Sequence, residues 1–114
     1  MISLSTEEIN DVIVIHVKGI LTIEHIKEAE EVWLEQLEKG PEILAFDFRE
    51  IAEVDSVAIN HIIKLVKAAA EMDVKLIICD SNEQLEKIFK VIKLDRVITI
   101  MPNQKFHDEY IRRI

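Results

Sequence analysis

Short β-branched runs alternate with longer amphipathic stretches along this chain, and that order restricts it to a sheet layered with helices. Val12-Ile13-Val14-Ile15-His16-Val17 predicts a strand. Ile2 to Glu7 predicts a shorter one, with Asn10-Asp11 as the turn that makes the two a hairpin. Gly19 then breaks the pattern. Thr22 is the expected N-cap of a helix from about Ile23 to Lys39, whose stripe of Ile26, Ala29, Trp33 and Leu37 has helical spacing. Gly40-Pro41 stops it. Ile43 to Phe48 is apolar on both faces except at Asp47, which predicts an interior strand with cover on both sides. Arg49 to Val54 reads as a short connection. A helix to about Met72 follows and is expected to bury Ile59, Ile62, Ile63, Val66 and Ala70. Val74 to Cys79 predicts another strand, and Ser81 caps a helix with Leu85, Ile88, Phe89 and Ile92 inward. Val97 to Ile100 is a last short strand. Pro102-Asn103 opens a terminal helix through Phe106, Tyr110 and Ile114. The expected fold is a single α/β domain over residues 1–114. Its sheet is mixed, mostly parallel and of four to five strands, with an N-terminal antiparallel hairpin and about four helices.

Composition removes several function classes. The chain has 114 residues, which suits one core and not two. A net charge of −8 argues against direct nucleic-acid binding, which needs a basic stripe, and gives no attraction to an anionic membrane. Met1-Ile2-Ser3-Leu4-Ser5 lacks the basic flank and apolar run of a signal peptide. Cys79 is the single cysteine, so no internal disulfide can form. Together these point to a cytoplasmic protein with no membrane role.

Enzyme chemistry finds little to work with. His16, His25, His61 and His107 do not fall at metal-ligand spacing, and Cys79 has no cysteine partner, so no metal site is expected. His16 and His61 read as surface or rim residues. Two glycines, Gly19 and Gly40, leave no phosphate-cradling loop and imply no cofactor. Cys79, near the end of an apolar strand, reads as a buried structural thiol. Glu28, Glu30, Glu31, Glu35 and Glu38 form the solvated face of the first long helix. No nucleophile–base pair can be assembled, and the expectation is a binding protein and not an enzyme.

Asp55-Ser56 carries the remaining signal. It follows the central strand and opens the next helix. Asp and Ser are favoured N-caps, so the bare dipeptide needs no function. Its place matters more, because ligands and partners dock at this edge of an α/β sheet.

At these residues the chain resembles the STAS domain family, and within it the bacterial anti-sigma factor antagonists. Gly19-Ile20-Leu21-Thr22 resembles the turn after the family's second strand, and Ile43 to Phe48 resembles its central strand. Val54-Asp55-Ser56-Val57-Ala58-Ile59 resembles its Asp-Ser-Ser/Thr-Gly-Leu/Ile signature. Val74 to Asp80, with Ser81 and the helix to Ile92, resembles the next strand and helix. Val57 and Ala58 replace the usual Ser/Thr and Gly, and Thr22 stands where many relatives carry Asp.

The resemblance implies a phosphorylation switch. Ser56 matches the serine that a partner kinase, itself the anti-sigma factor, phosphorylates. The unmodified form holds the anti-sigma factor and frees the sigma factor, phosphorylation releases the complex, and a phosphatase resets it. Asp55, Ser56, Glu53, Asn60, His61, Lys64 and Thr22 are the expected partner-binding residues. Two alternatives stay open: a STAS scaffold in an assembly, a homo-oligomer included, with Ser56 a plain cap, or a module that binds a small ligand or nucleotide.

Overall fold

A computed structural model describes residues 2–81, 83–91, 93 and 98–111. The chain order is β1 (Ile2–Ile9), β2 (Val12–Leu21), α1 (Ile26–Glu38), β3 (Ile43–Val54), α2 (Ser56–Glu71), β4 (Lys75–Cys79), α3 (Glu83–Val91), β5 (Thr99–Met101) and α4 (Asn103–Phe106). A π-helical turn, His107–Ile111, continues α4. The five strands form one sheet in the order β1-β2-β3-β4-β5. β1 and β2 pair antiparallel through the Asn10-Asp11 turn, and every later pair is parallel. Asn10 adopts φ 56°, a left-handed conformation that Asn tolerates better than most residues.

Strand alternation sorts the core onto two faces. Ile13, Ile15 and Val17 of β2 join Leu44, Phe46 and Phe48 of β3 on the face that α1, α2 and α3 cover. Trp33 of α1 meets Phe46 edge to face at 5.5 Å between ring centroids. The opposite face carries Val12, Val14, Ile43, Ala45, Ile77 and Cys79, covered by Phe106 of α4. That cover is short. Further along the same face the alternation brings His16 of β2 and Asp47 of β3, which stand side by side in register.

Several expectations are corrected. β2 does not end at Gly19. That residue takes φ 105° and bends the strand, whose pairing with β3 shifts there, yet pairing continues to Leu21 beside Val54. Arg49 to Val54 is strand, paired with β2 alone, because β4 stops opposite Asp47. Thr22 does not cap α1. It starts a turn in which the His25 N–H donates to the Thr22 carbonyl at 2.9 Å, and His25 precedes the helix without a side-chain cap. The buried stripe of α1 is as expected, Ile26, Ala29, Trp33 and Leu37. In α2 the buried set is Ala58, Ile62, Leu65, Val66 and Ala69. Ile59 and Ile63 are half-buried and Ala70 is exposed, so the helix is turned by about one residue from the expected phase. Leu85 and Phe89 of α3 are buried and Ile88 half-buried. Ile92, Val97 and Ile114 lie outside the described residues. The Ser81 hydroxyl donates to Glu86 at 3.4 Å.

Candidate functional site

The end of β3 delivers Asp55 in an extended conformation, φ −105° and ψ 175°, and α2 begins at the next residue, Ser56. Each Asp55 oxygen has a separate task. Oδ1 accepts from the Ala58 N–H at 2.9 Å and so satisfies one of the free donors at the helix start. Oδ2 accepts from the Ile23 N–H at 2.9 Å, across the loop between β2 and α1. The Asp55 N–H in turn donates to the Leu21 carbonyl at 3.4 Å. One side chain thus caps α2 and ties it to a neighbouring loop. The bond from Ala58, and then that from Ile23, hold the Asp55 carboxyl below its usual range.

Such a depressed carboxylate contributes stability above its ordinary value of 3.8, and that contribution is lost as pH falls through the lower folded value. Asp55→Ala is therefore expected to melt below the parent at neutral pH. The gap should close as pH drops below 3.8 in thermal scans across pH.

Ser56 is exposed at the first position of α2. Glu53, Asn60 and Lys64 are exposed too. Ser56, Asn60 and Lys64 are spaced by four and share one helix face. Thr22 is half-buried, and Ile23 beside it is 65% exposed although it is a large apolar residue. His61 behaves differently. It is half-buried, and its Nδ1 pairs with Glu30 of α1, so it braces two helices and does not stand free. Ala58 is fully buried, with its methyl in the core.

A second polar cluster escaped sequence reasoning. His16 lies between two carboxylates, with Nδ1 at 2.9 Å from Asp47 Oδ2 and Nε2 at 2.5 Å from Glu7 Oε1. Asp47 is buried, and its Oδ1 accepts from the Arg49 N–H at 3.1 Å. Ser5 stands opposite His16 on β1. The row Ser5, His16, Asp47 has the residue types of a nucleophilic triad, but Glu7 and not a serine engages His16 Nε2. Among the described residues, no group of three or more His, Cys, Asp or Glu could hold a metal ion. Cys79 is fully buried, and burial, with Asp47 and Asp80 adding to it, pushes its thiol up to about 12, so it is no nucleophile.

Burial alone would lower the His16 pKa, but the hydrogen bonds and charges of Asp47 and Glu7 outweigh it, and the net shift is upward from 6.5. A raised folded value means the stabilisation is fully present below 6.5 and lost as pH rises through the folded value. Urea unfolding at about pH 5.5 and pH 8.5 is expected to show His16→Gln costing more stability at the lower pH. An equal cost at both would remove the charged bridge.

The sequence profile of the STAS domain matches residues 3–107. The chain belongs to the STAS domain family. No curated protein sequence matches it. Among solved structures, this STAS domain is similar to a candidate anti-sigma factor antagonist from Thermotoga maritima, with a TM-score of 0.82, 20% identity, and 96% of this chain and 95% of that one covered. It is also similar to the anti-sigma factor antagonist SpoIIAA in its unphosphorylated form, with a TM-score of 0.75, 13% identity, and coverage of 98% and 100%. The Bacillus cell fate determinant SpoIIAA in its phosphorylated form gives 0.75, 13%, 93% and 97%. At these identities the likeness establishes the fold. Within the STAS domain, the structure brings Asp55, Ser56, Thr22 and Glu53 to the end of β2 and β3, with Asn60 and Lys64 following along α2. No helix among the described residues is long and apolar enough to cross a membrane.

Proposed function

We propose that this STAS domain is an anti-sigma factor antagonist switched at Ser56. Unmodified, it holds an anti-sigma factor that is also a serine kinase. Phosphorylated, it lets that partner go, and a phosphatase restores it. The observation that carries this reading is an exposed hydroxyl at the first position of a 16-residue helix whose start is clamped by Asp55.

The clamp suits a switch that leaves the fold alone. A phosphoserine carries about −1.5 to −2 charges near neutral pH. The helix start favours it by roughly 0.3–1 kcal/mol, while Asp55 opposes it. The docking surface would comprise Thr22, Glu53, Asp55, Ser56, Asn60 and Lys64, with Ile23 as its apolar element. His61 sits behind this surface as a brace. The role is cytoplasmic and regulatory, acting on transcription through the partner and not on nucleic acid.

Incubation with ATP and a kinase of the anti-sigma factor class, followed by mass spectrometry, tests the reading. A single phosphate on Ser56, absent from Ser56→Ala, is the expected result. Phosphate on another residue, or none under conditions where the kinase modifies its own antagonist, would refute it.

A further inference from the structure

His16 joins three strands. Its Nε2 is 2.5 Å from Glu7 of the edge strand β1, and its Nδ1 is 2.9 Å from Asp47 of β3. Both partners are carboxylates, which accept hydrogen bonds and, when ionised, donate none. An imidazolium has two N–H donors and serves both. A neutral imidazole has one donor and serves only one. Loss of a single proton therefore breaks one of the two links, and the surroundings decide which.

Asp47 has the stronger claim on the remaining donor. Its side chain is 5% exposed and that of Glu7 is 54% exposed, so water can replace His16 at Glu7 far more easily. Asp47 Oδ1 already accepts from the Arg49 N–H. Its Oδ2 has His16 as its hydrogen-bond donor among the described residues, with the Arg49 guanidinium further off at 3.6 Å. Cys79, beside Asp47 on β4, adds no charge, since its thiol is pushed up to about 12. Ser3 and Ser5 of β1 border the ring without charge, and the other two charged neighbours, Lys18 and Glu50, pair with each other at 3.6 Å. A buried carboxylate oxygen stripped of its donor costs more than an exposed one that water can serve.

We infer that a proton on His16 Nε2 latches the edge strand β1 to the sheet, and that its loss frees Glu7 while the bond to Asp47 stays. The latch is closed below the ordinary histidine value of 6.5 and opens as pH rises through the higher folded value. The opening is local. The backbone pairing of β1 with β2 and the buried Ile2 remain, while the half of β1 next to the Asn10-Asp11 turn loses its side-chain tie.

NMR on the full chain tests this at two points. The ring-nitrogen shifts of His16 should show protons on both nitrogens at about pH 5.5 and on Nδ1 alone at about pH 8.5. Amide protection, corrected for the intrinsic exchange rate at each pH, should fall about threefold in β1 between those values and hold steady in β3 and β4. Glu7→Gln should abolish that fall, because a glutamine offers its oxygen to the imidazolium and its N–H to the bare Nε2. The Glu7 side chain is exposed, so this variant leaves the core intact. A neutral ring protonated on Nε2, unchanged protection in β1, an equal fall in β3, or a fall in Glu7→Gln matching the parent would each overturn the inference.

Discussion

Ser56→Asp is expected to weaken binding of the proposed kinase partner by about a thousandfold or more, with the fold and its melting point nearly unchanged. Two facts set the sign and the selectivity. Ser56 is exposed, so a new charge meets water in the free protein and displaces no core contact. It also opens α2, where the unpaired N–H groups and the helix dipole favour negative charge. Asp55 beside it is locked by Ala58 and Ile23 and cannot turn away, so some repulsion remains, but on an exposed surface this is small. Docking changes the balance. A carboxylate closed into an interface without a cation costs several kcal/mol, and each 1.4 kcal/mol is tenfold in affinity. Ser56→Ala removes only a hydroxyl and should bind within about tenfold of the parent. Calorimetric titration of the three proteins, with melting curves on each, checks both halves. Ser56→Asp binding like the parent would mean that the interface lies elsewhere.

Phe46→Ala is expected to cost about 3–5 kcal/mol of folding stability. Phe46 lies in the central strand, is 1% exposed, and fills the space between two other rings, Trp33 at 5.5 Å and Phe48 at 5.6 Å. Its removal would forfeit the burial of a whole aromatic side chain together with both ring contacts. Collapse around the hole is limited, because the residue sits on a sheet backbone paired on both sides by β2 and β4. Against a typical total stability of about 5–15 kcal/mol, such a loss brings the domain close to unfolding. Urea denaturation followed through Trp33 reads the change. A loss below about 1 kcal/mol would contradict the packing described.

Much of this architecture is legible in the sequence because period and punctuation agree. The β-branched run Val12–Val17, the Asn10-Asp11 turn and the stripe Ile26, Ala29, Trp33, Leu37 each predict one element, and each forms. The start of α2 at Asp55-Ser56 is equally legible, since a capping residue follows directly on a strand. What the sequence hides depends on neighbours. Residues Arg49 to Val54 look like a loop because four of the six are polar or alanine, yet they pair with β2 beyond the end of β4. The phase of α2 is hidden because apolar residues occur almost all round its first half, and only contact with the sheet selects Ala58 and Leu65 over Ile59 and Ile63. Thr22 has the composition of a cap, but the β2 extension past Gly19 moves the helix start three residues on, from Ile23 to Ile26. The bridge of His16 between Glu7 and Asp47 needs two registers, one antiparallel and one parallel, and a single chain read in order contains neither. Parity alone offered a hint, since Val12, Val14 and His16 share one side of a strand.

The sheet's two margins limit how copies of this protein can meet. β5 is three residues long, too short to nucleate an added strand. β1 is longer, but it carries Glu7 and Glu8 on its exposed stretch. A second molecule docking antiparallel there would crowd like charges, and the net −8 of each chain would add to the repulsion. Concentrated solutions should thus resist fibril seeding through these rims, and encounters are left to the helical and loop surfaces.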